Sequence, residues 1–451
     1  MRNKTVSTVV LFLLVVVLFF DIGCSGRQMQ PNKRNSNESN KGGVTAVRLT
    51  VKSTKDLSKY LQSHISQFQD YSKYIFPKSG IWNGFACYKE TAIISSGVEV
   101  LPKKNIPSKI KHYSDLYIIN TNEKKVVGII RHNIGKGFLN VSPYGINEDW
   151  IVYQENDDRE SDPNFAIYAL NRKSGKTLTI IERKRGEDNF LTKEEKIPKG
   201  ITHRIDYPMG ILFKNKFYFT IYIYTDVFNK KLGILKDISS SIYEADLNTG
   251  NIKRLIHIAG SNGEISSFNV NDNHIAYCYG YRDINKKKLV EDIYLYSFKT
   301  GKTVNFTNNG NSETPWLTKD NWITYQVWLP EALSTDPEVT GKAVGKPQFY
   351  NVLRPVDKDK PVFKITVGNP DGFVLDGYPT CLKISPSGRY ILFDSPYRIL
   401  DRKTNTITVL KGFPVANLMD FEDDNTLVYV WIINDKAGLF LINIKDLLNE
   451  N

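Results

Sequence analysis

The chain has 451 residues, with 60 Lys and Arg against 48 Asp and Glu, a formal net charge of +12 and 12% aromatic residues. That length is ample for a large core, and positive charge spread along a chain bears on solubility and on attraction to anionic surfaces, not on fold. The four cysteines contain no CxxC pair, which argues against a zinc knuckle or a dithiol redox motif.

Arg2 and Lys4 precede Val9 to Phe20, an unbroken apolar run of 12 residues. A spanning helix needs about 20. The run has the length of a signal-peptide core instead. Asp21-Ile22-Gly23-Cys24 follows at once, and a small residue before Cys24 resembles the bacterial lipoprotein cleavage box, although Asp21 departs from the usual Leu. The resemblance implies that residues 1–23 are removed, that Cys24 carries lipid, and that the protein faces the extracytoplasmic side of a cell membrane, held by its acyl chains. Residues 24–43 have almost no large apolar side chain and read as a flexible tether.

The folded region is expected over 44–451. Val47, Leu49 and Val51 alternate with polar residues, so 44–51 reads as a strand. Leu57, Leu61, Ile65 and Phe68 at helical spacing predict one short amphipathic helix over 55–72.

From about residue 80 to 446 one phrase recurs, an apolar strand with an aromatic residue at its centre. Its anchors are Tyr117, Tyr168, Tyr243, Tyr294, Tyr350, Leu400 and Phe440, mostly about 50 residues apart, with one interval near 75 and one near 40. Each module parses as four strands, a to d. Trp150 to Tyr153, for example, is b, Phe165 to Leu170 is c and Thr177 to Ile181 is d. Gly-bearing turns at Ser174-Gly175, Thr249-Gly250 and Thr300-Gly301 join c to d. A period of this length built only of β units predicts an all-β propeller of four-stranded antiparallel blades. Seven copies point to seven blades, with six or eight as alternatives because the first and fifth modules are irregular.

In the sixth module, Ile384-Ser385-Pro386-Ser387-Gly388-Arg389-Tyr390-Ile391-Leu392-Phe393 resembles the repeat of TolB-like propellers, a Ser-Pro-Asp-Gly-Lys turn leading into an Ile-Ala-Phe strand. Ser387 and Arg389 depart from that pattern, and the other modules keep only its hydrophobic frame. The resemblance implies the fold. It implies little about activity, because such repeats serve scaffolds and enzymes alike.

After Leu439 to Ile444 the last module has no d strand. An open ring would leave an unpaired edge. The expectation is that an N-terminal strand, 44–51, closes the seventh blade.

Long segments between b and c, at 154–164, 225–241, 279–292 and 328–347, should emerge on one face, the binding face of a repeat array. Near them lie Tyr224, Tyr279, Tyr281, Trp328 and Trp431, which read as ligand-binding aromatics able to stack on sugar rings or anchor peptide side chains. The same residues also read as the packed outer ends of strands. Asp157, Asp158 and Asp162 crowd one loop, but the EF-hand spacing for calcium is absent, and no metal or other cofactor is expected.

No G-x-S-x-G elbow, HxH, HxxxH or HExxH pair, or Gly-rich phosphate cradle occurs. No basic-aromatic pattern suggests nucleic acid. Carboxylates near strand ends, Asp206, Asp272, Glu313, Asp376, Asp394 and Asp420, are too many to select a glycosidase pair from sequence. The reading is a lipid-anchored propeller that binds an envelope protein or glycan, more a scaffold than an enzyme. The alternative is a polysaccharide lyase or glycosidase with its site at the central channel. Convergence of His132, His203, His257 and His274 would favour the enzyme.

Overall fold

The computed structural model describes residues 50–54, 57, 68–72, 80–100, 111–133, 138–157, 164–184, 203–205, 208–229, 234–259, 263–283, 288–328, 349–357, 363–365, 381–393, 397–411, 418–433 and 436–449. The signal segment, Cys24, the tether and residues 44–49 lie outside them.

Seven separate sheets follow one another along the chain. Blade 1 spans Gly80 to Ile130, blade 2 Asn140 to Arg183, blade 3 His203 to Ala259 and blade 4 Gly263 to Asn305. Blade 5 spans Ser312 to Ile365, blade 6 Cys381 to Val409 and blade 7 Met419 to Asn443. All seven anchors fall on the c strand of their blade, including the weakest, Leu400 in Arg398–Asp401. The anchor side chain packs against the preceding blade, as Tyr168, Tyr243, Leu400 and Phe440 do, and this keeps an apolar or aromatic residue at that position.

Cores form between blades rather than within them. Blade 2 presents Trp150, Val152 and Ile167 to Phe217, Phe219 and Tyr243 of blade 3. Blades 6 and 7 meet through Ile399, Phe421, Tyr429 and Phe440, joined by fully buried Leu57. The predicted c–d turns hold Gly175, Gly250 and Gly301 at φ 69°, 75° and 65°, the left-handed region that favours glycine.

Closure differs from expectation. An N-terminal strand does complete blade 7, but it is Gln69–Asp70, paired antiparallel with Leu439 and Gly438. Thr50–Ser53 instead pairs in parallel with Thr406–Val409 as a fifth, outermost strand of blade 6. The helix expected over 55–72 falls mostly outside the described residues, and its end at Gln69–Asp70 is strand. Packing explains the choice. Gln69 is buried and its Nε2 donates to the Thr121 carbonyl of blade 1 at 2.8 Å, a contact that the 44–51 sequence has no amide side chain to make. Beyond blade 7's c strand, a short helix, α1 (Ile444–Asn449), buries Ile444 and Leu447 against the blade 6–7 core.

The face carrying the a–b and c–d turns is stitched at every seam. Arg172 donates to Thr91 Oγ1 between blades 2 and 1, and Asn147 to the Lys214 carbonyl between blades 2 and 3. Lys214 then pairs with Asp272 of blade 4, and Asn271 donates to the Thr318 carbonyl of blade 5. Arg402 forks onto Asp320 between blades 6 and 5, Ser387 N–H donates to Asp424 of blade 7, and Thr121 Oγ1 donates to Glu422 to complete the ring. That face is committed to closure.

Candidate functional site

The opposite face carries the b–c connections, and there the blades are unequal. Lys216–Asn229 pairs with Ile234–Asp246 and His274–Asp283 with Lys288–Ser297, so blades 3 and 4 rise as long hairpins. Most of the segments at 225–241 and 279–292, expected as loops, are therefore strand. Their alternating aromatic and β-branched residues extend the ladder instead of ending it.

On these hairpins every second residue faces the same neighbour. Tyr218 and Tyr277 share the core between blades 3 and 4. The same alternation carries Tyr222 and Tyr224 up one wall of that seam, and Tyr279 and Tyr281 up the other. The Tyr222 and Tyr224 rings lie 5.4 Å apart, and those of Tyr279 and Tyr281 6.2 Å apart and stacked. Tyr281, 39% exposed, tops its row at the rim. Three of the five expected aromatics, Tyr224, Tyr279 and Tyr281, thus belong to one seam.

The other face of the blade 4 hairpin holds chemistry that the aromatic pattern does not reveal. Glu291 pairs in register with Gly280 and is buried; a Cβ at Gly280 would stand 3.0 Å from Glu291 Cγ and Oε1, so glycine makes room for the carboxyl. The Glu291 backbone N–H donates to the Gly310 carbonyl, and Glu291 bridges to Asn311 on the way into blade 5. There the Glu313 carboxyl hydrogen-bonds that of Glu291.

Two carboxyls in contact cannot both ionise cheaply. Burial, then the charge and hydrogen bond of Glu313 and the field of Glu264, push Glu291 up to about 8. Burial raises Glu313 as well, opposed by the Trp328 indole and by Glu291. The pair shares a proton at neutral pH. Immediately after Glu313, Thr314 has φ 54° at a bulge between Glu313 and Trp316, an unusual conformation for a β-branched residue. Trp328, the fourth expected aromatic, ends the b strand of blade 5 beside this pair. Trp431 lies on the b strand of blade 7 opposite Gly438, away from both seams in sequence and sheet.

Among the described side chains, three histidines make separate contacts. His132 Nδ1 contacts Asp115 at 2.7 Å in blade 1, His257 contacts Ser241 at 3.0 Å in blade 3, and His274 contacts Asn321 at 3.0 Å on the turn face. His203 sits on an extra strand of blade 3. Among the described residues no group of three or more His, Cys, Asp or Glu side chains is arranged to hold a metal. Asp157 is buried, with its backbone N–H on the Asn164 carbonyl, while Asp158 and Asp162 lie outside the described residues. Cys87 and Cys278 are buried free thiols, and burial raises both above the usual thiol range.

On the turn face, a groove of about 930 Å³ lies where blades 7, 1 and 2 adjoin, with Glu90, Arg172 and Asp423 among its walls. Its charges of both signs are largely spent on one another, as in Lys89–Glu148 and Lys173–Asp149.

Solved structures with this arrangement of blades are known. A Pyrococcus horikoshii acylaminoacyl peptidase matches at TM-score 0.51 and 13% identity, over 81% of this chain and 52% of that one. The chain folds as a seven-bladed β-propeller. It thus spans about half the length of the peptidase, and the likeness shows the fold alone. The β-propeller domain of the Trilobed protease from Pyrococcus furiosus matches at TM-score 0.49 and 12% identity, over 81% of this chain and 94% of that one. TolB from Acinetobacter baumannii matches at TM-score 0.39 and 12% identity, over 79% and 78%. No family model matches the chain, and no curated protein does.

Proposed function

We propose that the protein is a lipid-anchored, extracytoplasmic binding module of the cell envelope whose ligand docks on the b–c rim of blades 3 to 5. The observation that carries this reading is the blade 4 hairpin. It rises above the ring with the Tyr279–Tyr281 row on one face and Glu291 on the other. Aromatic rings with an exposed edge and a buried acid pair beside them are the ingredients of selective binding. The anchor rests on the apolar run before Cys24 and on the residue pattern around it. Envelope glycan is the favoured partner, because tyrosine and tryptophan faces stack on sugar rings and the b–c rim offers several.

The enzyme alternative has less behind it. Glycosidase carboxyls stand roughly 5–9.5 Å apart to admit a sugar or a water between them. Glu291 and Glu313 touch. Among the described side chains, His132, His257 and His274 bond to different partners and form no metal-ligand cluster.

The test uses full-length protein in its own membranes. Labelled fatty acid should enter the wild type and not Cys24→Ala, and the variant should leave the membrane fraction. Detergent-solubilised wild type should co-sediment with purified envelope glycan, and Tyr281→Ala should do so at least several-fold less. Equal sedimentation of both proteins, or of neither, would refute the rim as the docking surface.

A further inference from the structure

Within the turn-face groove of about 930 Å³, where blades 7, 1 and 2 adjoin, some charges have no ion-pair partner. The two lysines of its walls are occupied, Lys89 by Glu148 at 3.3 Å and Lys173 by Asp149 at 2.7 Å. Among the described residues, Arg172, Glu90, Glu422 and Asp423 belong to no salt bridge.

These four are sorted by sign along the groove. On the blade 2 side the Arg172 guanidinium donates to two neutral acceptors, the Asn147 carbonyl at 2.5 Å and Thr91 Oγ1 at 2.7 Å. Those bonds fix the guanidinium without neutralising it. Burial lowers it below the ordinary arginine value, and the fields of Tyr88, Glu148 and Asp149 oppose that only in part. On the blade 7 side, Glu422, 9% exposed, accepts from Thr121 Oγ1, and Asp423 Oδ1 accepts from the N–H groups of Asn425 and Thr426, both at 2.7 Å. Glu90 of blade 1, exposed, joins them. Burial raises the Glu422 carboxyl against the Thr121 hydrogen bond, and the charges of Asp423 and Glu90 add to that rise.

An anion alone would meet three carboxylates. A bare metal ion fits poorly as well, because among the described residues no three acidic, His or Cys side chains are arranged to hold one. A ligand with an ammonium at one end and a carboxylate at the other matches both sides. Between them the walls carry the Asn120 and Asn122 amides and the Thr426 hydroxyl, neutral groups of the kind that bond peptide units. The volume lies within the range of small-ligand sites, about 300–1,000 Å³.

We propose that this groove binds a short zwitterionic peptide, with its ammonium against Glu90, Glu422 and Asp423 and its carboxylate against Arg172. The planar guanidinium suits a carboxylate, and charge-assisted hydrogen bonds are the stronger ones. The site is separate from the b–c rim and does not depend on that reading.

The test titrates full-length protein in detergent with trialanine, read by calorimetry, beside N-acetyl-trialanine and trialanine amide, each of which lacks one charge. Saturable binding of trialanine is expected, weakening as salt rises, with each derivative bound about fivefold or more weakly. Glu90→Gln should weaken trialanine and the amide alike and leave the acetyl derivative unchanged. Arg172→Gln should do the reverse, sparing the amide. Arg172 also takes part in closure, so its variant is checked by thermal melting, and Glu90→Gln at an exposed position decides the matter if Arg172→Gln unfolds. No saturable binding of trialanine overturns the site. So does an amide that binds as tightly as trialanine, which would leave a site for cations alone, and so does binding that ignores both substitutions. Displacement of trialanine by purified envelope glycan would put both ligands on one surface and overturn it too.

Discussion

Glu291 and Glu313 hydrogen-bond carboxyl to carboxyl across the seam between blades 4 and 5, and Gly280 is the residue that leaves Glu291 the space to do so. Only 22 positions separate them, yet they belong to different blades and meet because the connection through Gly310 and Asn311 returns along the c strand of blade 4. Several consequences of this pair and of ring closure are open to measurement.

Stability should fall as pH rises between about 4.5 and about 8. In the unfolded chain both carboxyls ionise near the ordinary glutamate value of about 4.3. In the folded protein Glu291 holds its proton until about 8. Over that window the folded state binds more protons than the unfolded state, so its advantage is full at low pH and drains as pH rises, by at most about 1.4 kcal/mol per pH unit for one proton. Glu291→Gln removes the titration. Its urea midpoint should exceed that of the wild type at pH 8 and vary less with pH; a wild-type profile that rises through this window would contradict the shared proton.

Gly280→Ala tests the space argument. The added methyl would meet Glu291 Cγ and Oε1 at 3.0 Å. The carboxyl must move from its contact with Glu313, so the pH dependence of stability should flatten as in Glu291→Gln, with a loss of about 1–3 kcal/mol from overpacking. A variant with the wild-type pH profile would show that the pair does not depend on this glycine.

Closure depends on a relay of side chains at the seam of blades 7 and 1. Tyr71 Oη donates to Gln69 Oε1, Gln69 Nε2 to the Thr121 carbonyl, and Thr121 Oγ1 to Glu422, each at 2.8 Å. Gln69→Ala leaves the Tyr71 hydroxyl without its acceptor and the Thr121 carbonyl without this donor. The expected cost is about 1–3 kcal/mol in denaturant unfolding, with faster hydrogen exchange in Lys436–Asn443 than elsewhere. Exchange that rises uniformly around the ring would argue against a local clasp.

Leu57 is fully buried among Tyr390, Ile399, Met419 and Phe440, between the last two blades. Leu57→Ala should cost about 2–5 kcal/mol, a core-sized loss from a residue that precedes all seven modules. A loss below about 1 kcal/mol, of the size seen at surface positions, would show that this segment does not contribute to the blade 6–7 core.

The frame was legible because the c strands repeat. Tyr117, Tyr168, Tyr243, Tyr294 and Tyr350 sit at equivalent positions, and burial between two blades constrains each copy alike. The closing strand was not. Val47, Leu49 and Val51 carry the alternation of a half-buried strand, whereas Gln69–Asp70 is a two-residue element selected by one buried amide contact, which leaves no periodic trace. Tyr224, Tyr279 and Tyr281 were legible only as aromatic residues near long b–c connections; that they line one seam follows from the paired hairpins, which the sequence did not show. The acid pair was not legible: Glu313 was one of many carboxylates at strand ends, and Glu291 gained meaning only when the fold placed Gly280 beside it and Glu313 across the seam. An acidic residue inside an apolar c strand, with glycine as its partner on b, is the one signal the sequence offered.

The claim that the b–c rim of blades 3 to 5 is the docking surface is tested most directly by hydrogen exchange on full-length protein with and without purified envelope glycan. Slowed exchange is expected in His274–Asp283, Lys288–Ser297 and Ser312–Leu317, with the turn face around Lys89, Glu148 and Arg172 unchanged. Protection confined to that turn face, with the blade 4 hairpin exchanging as before, would contradict it.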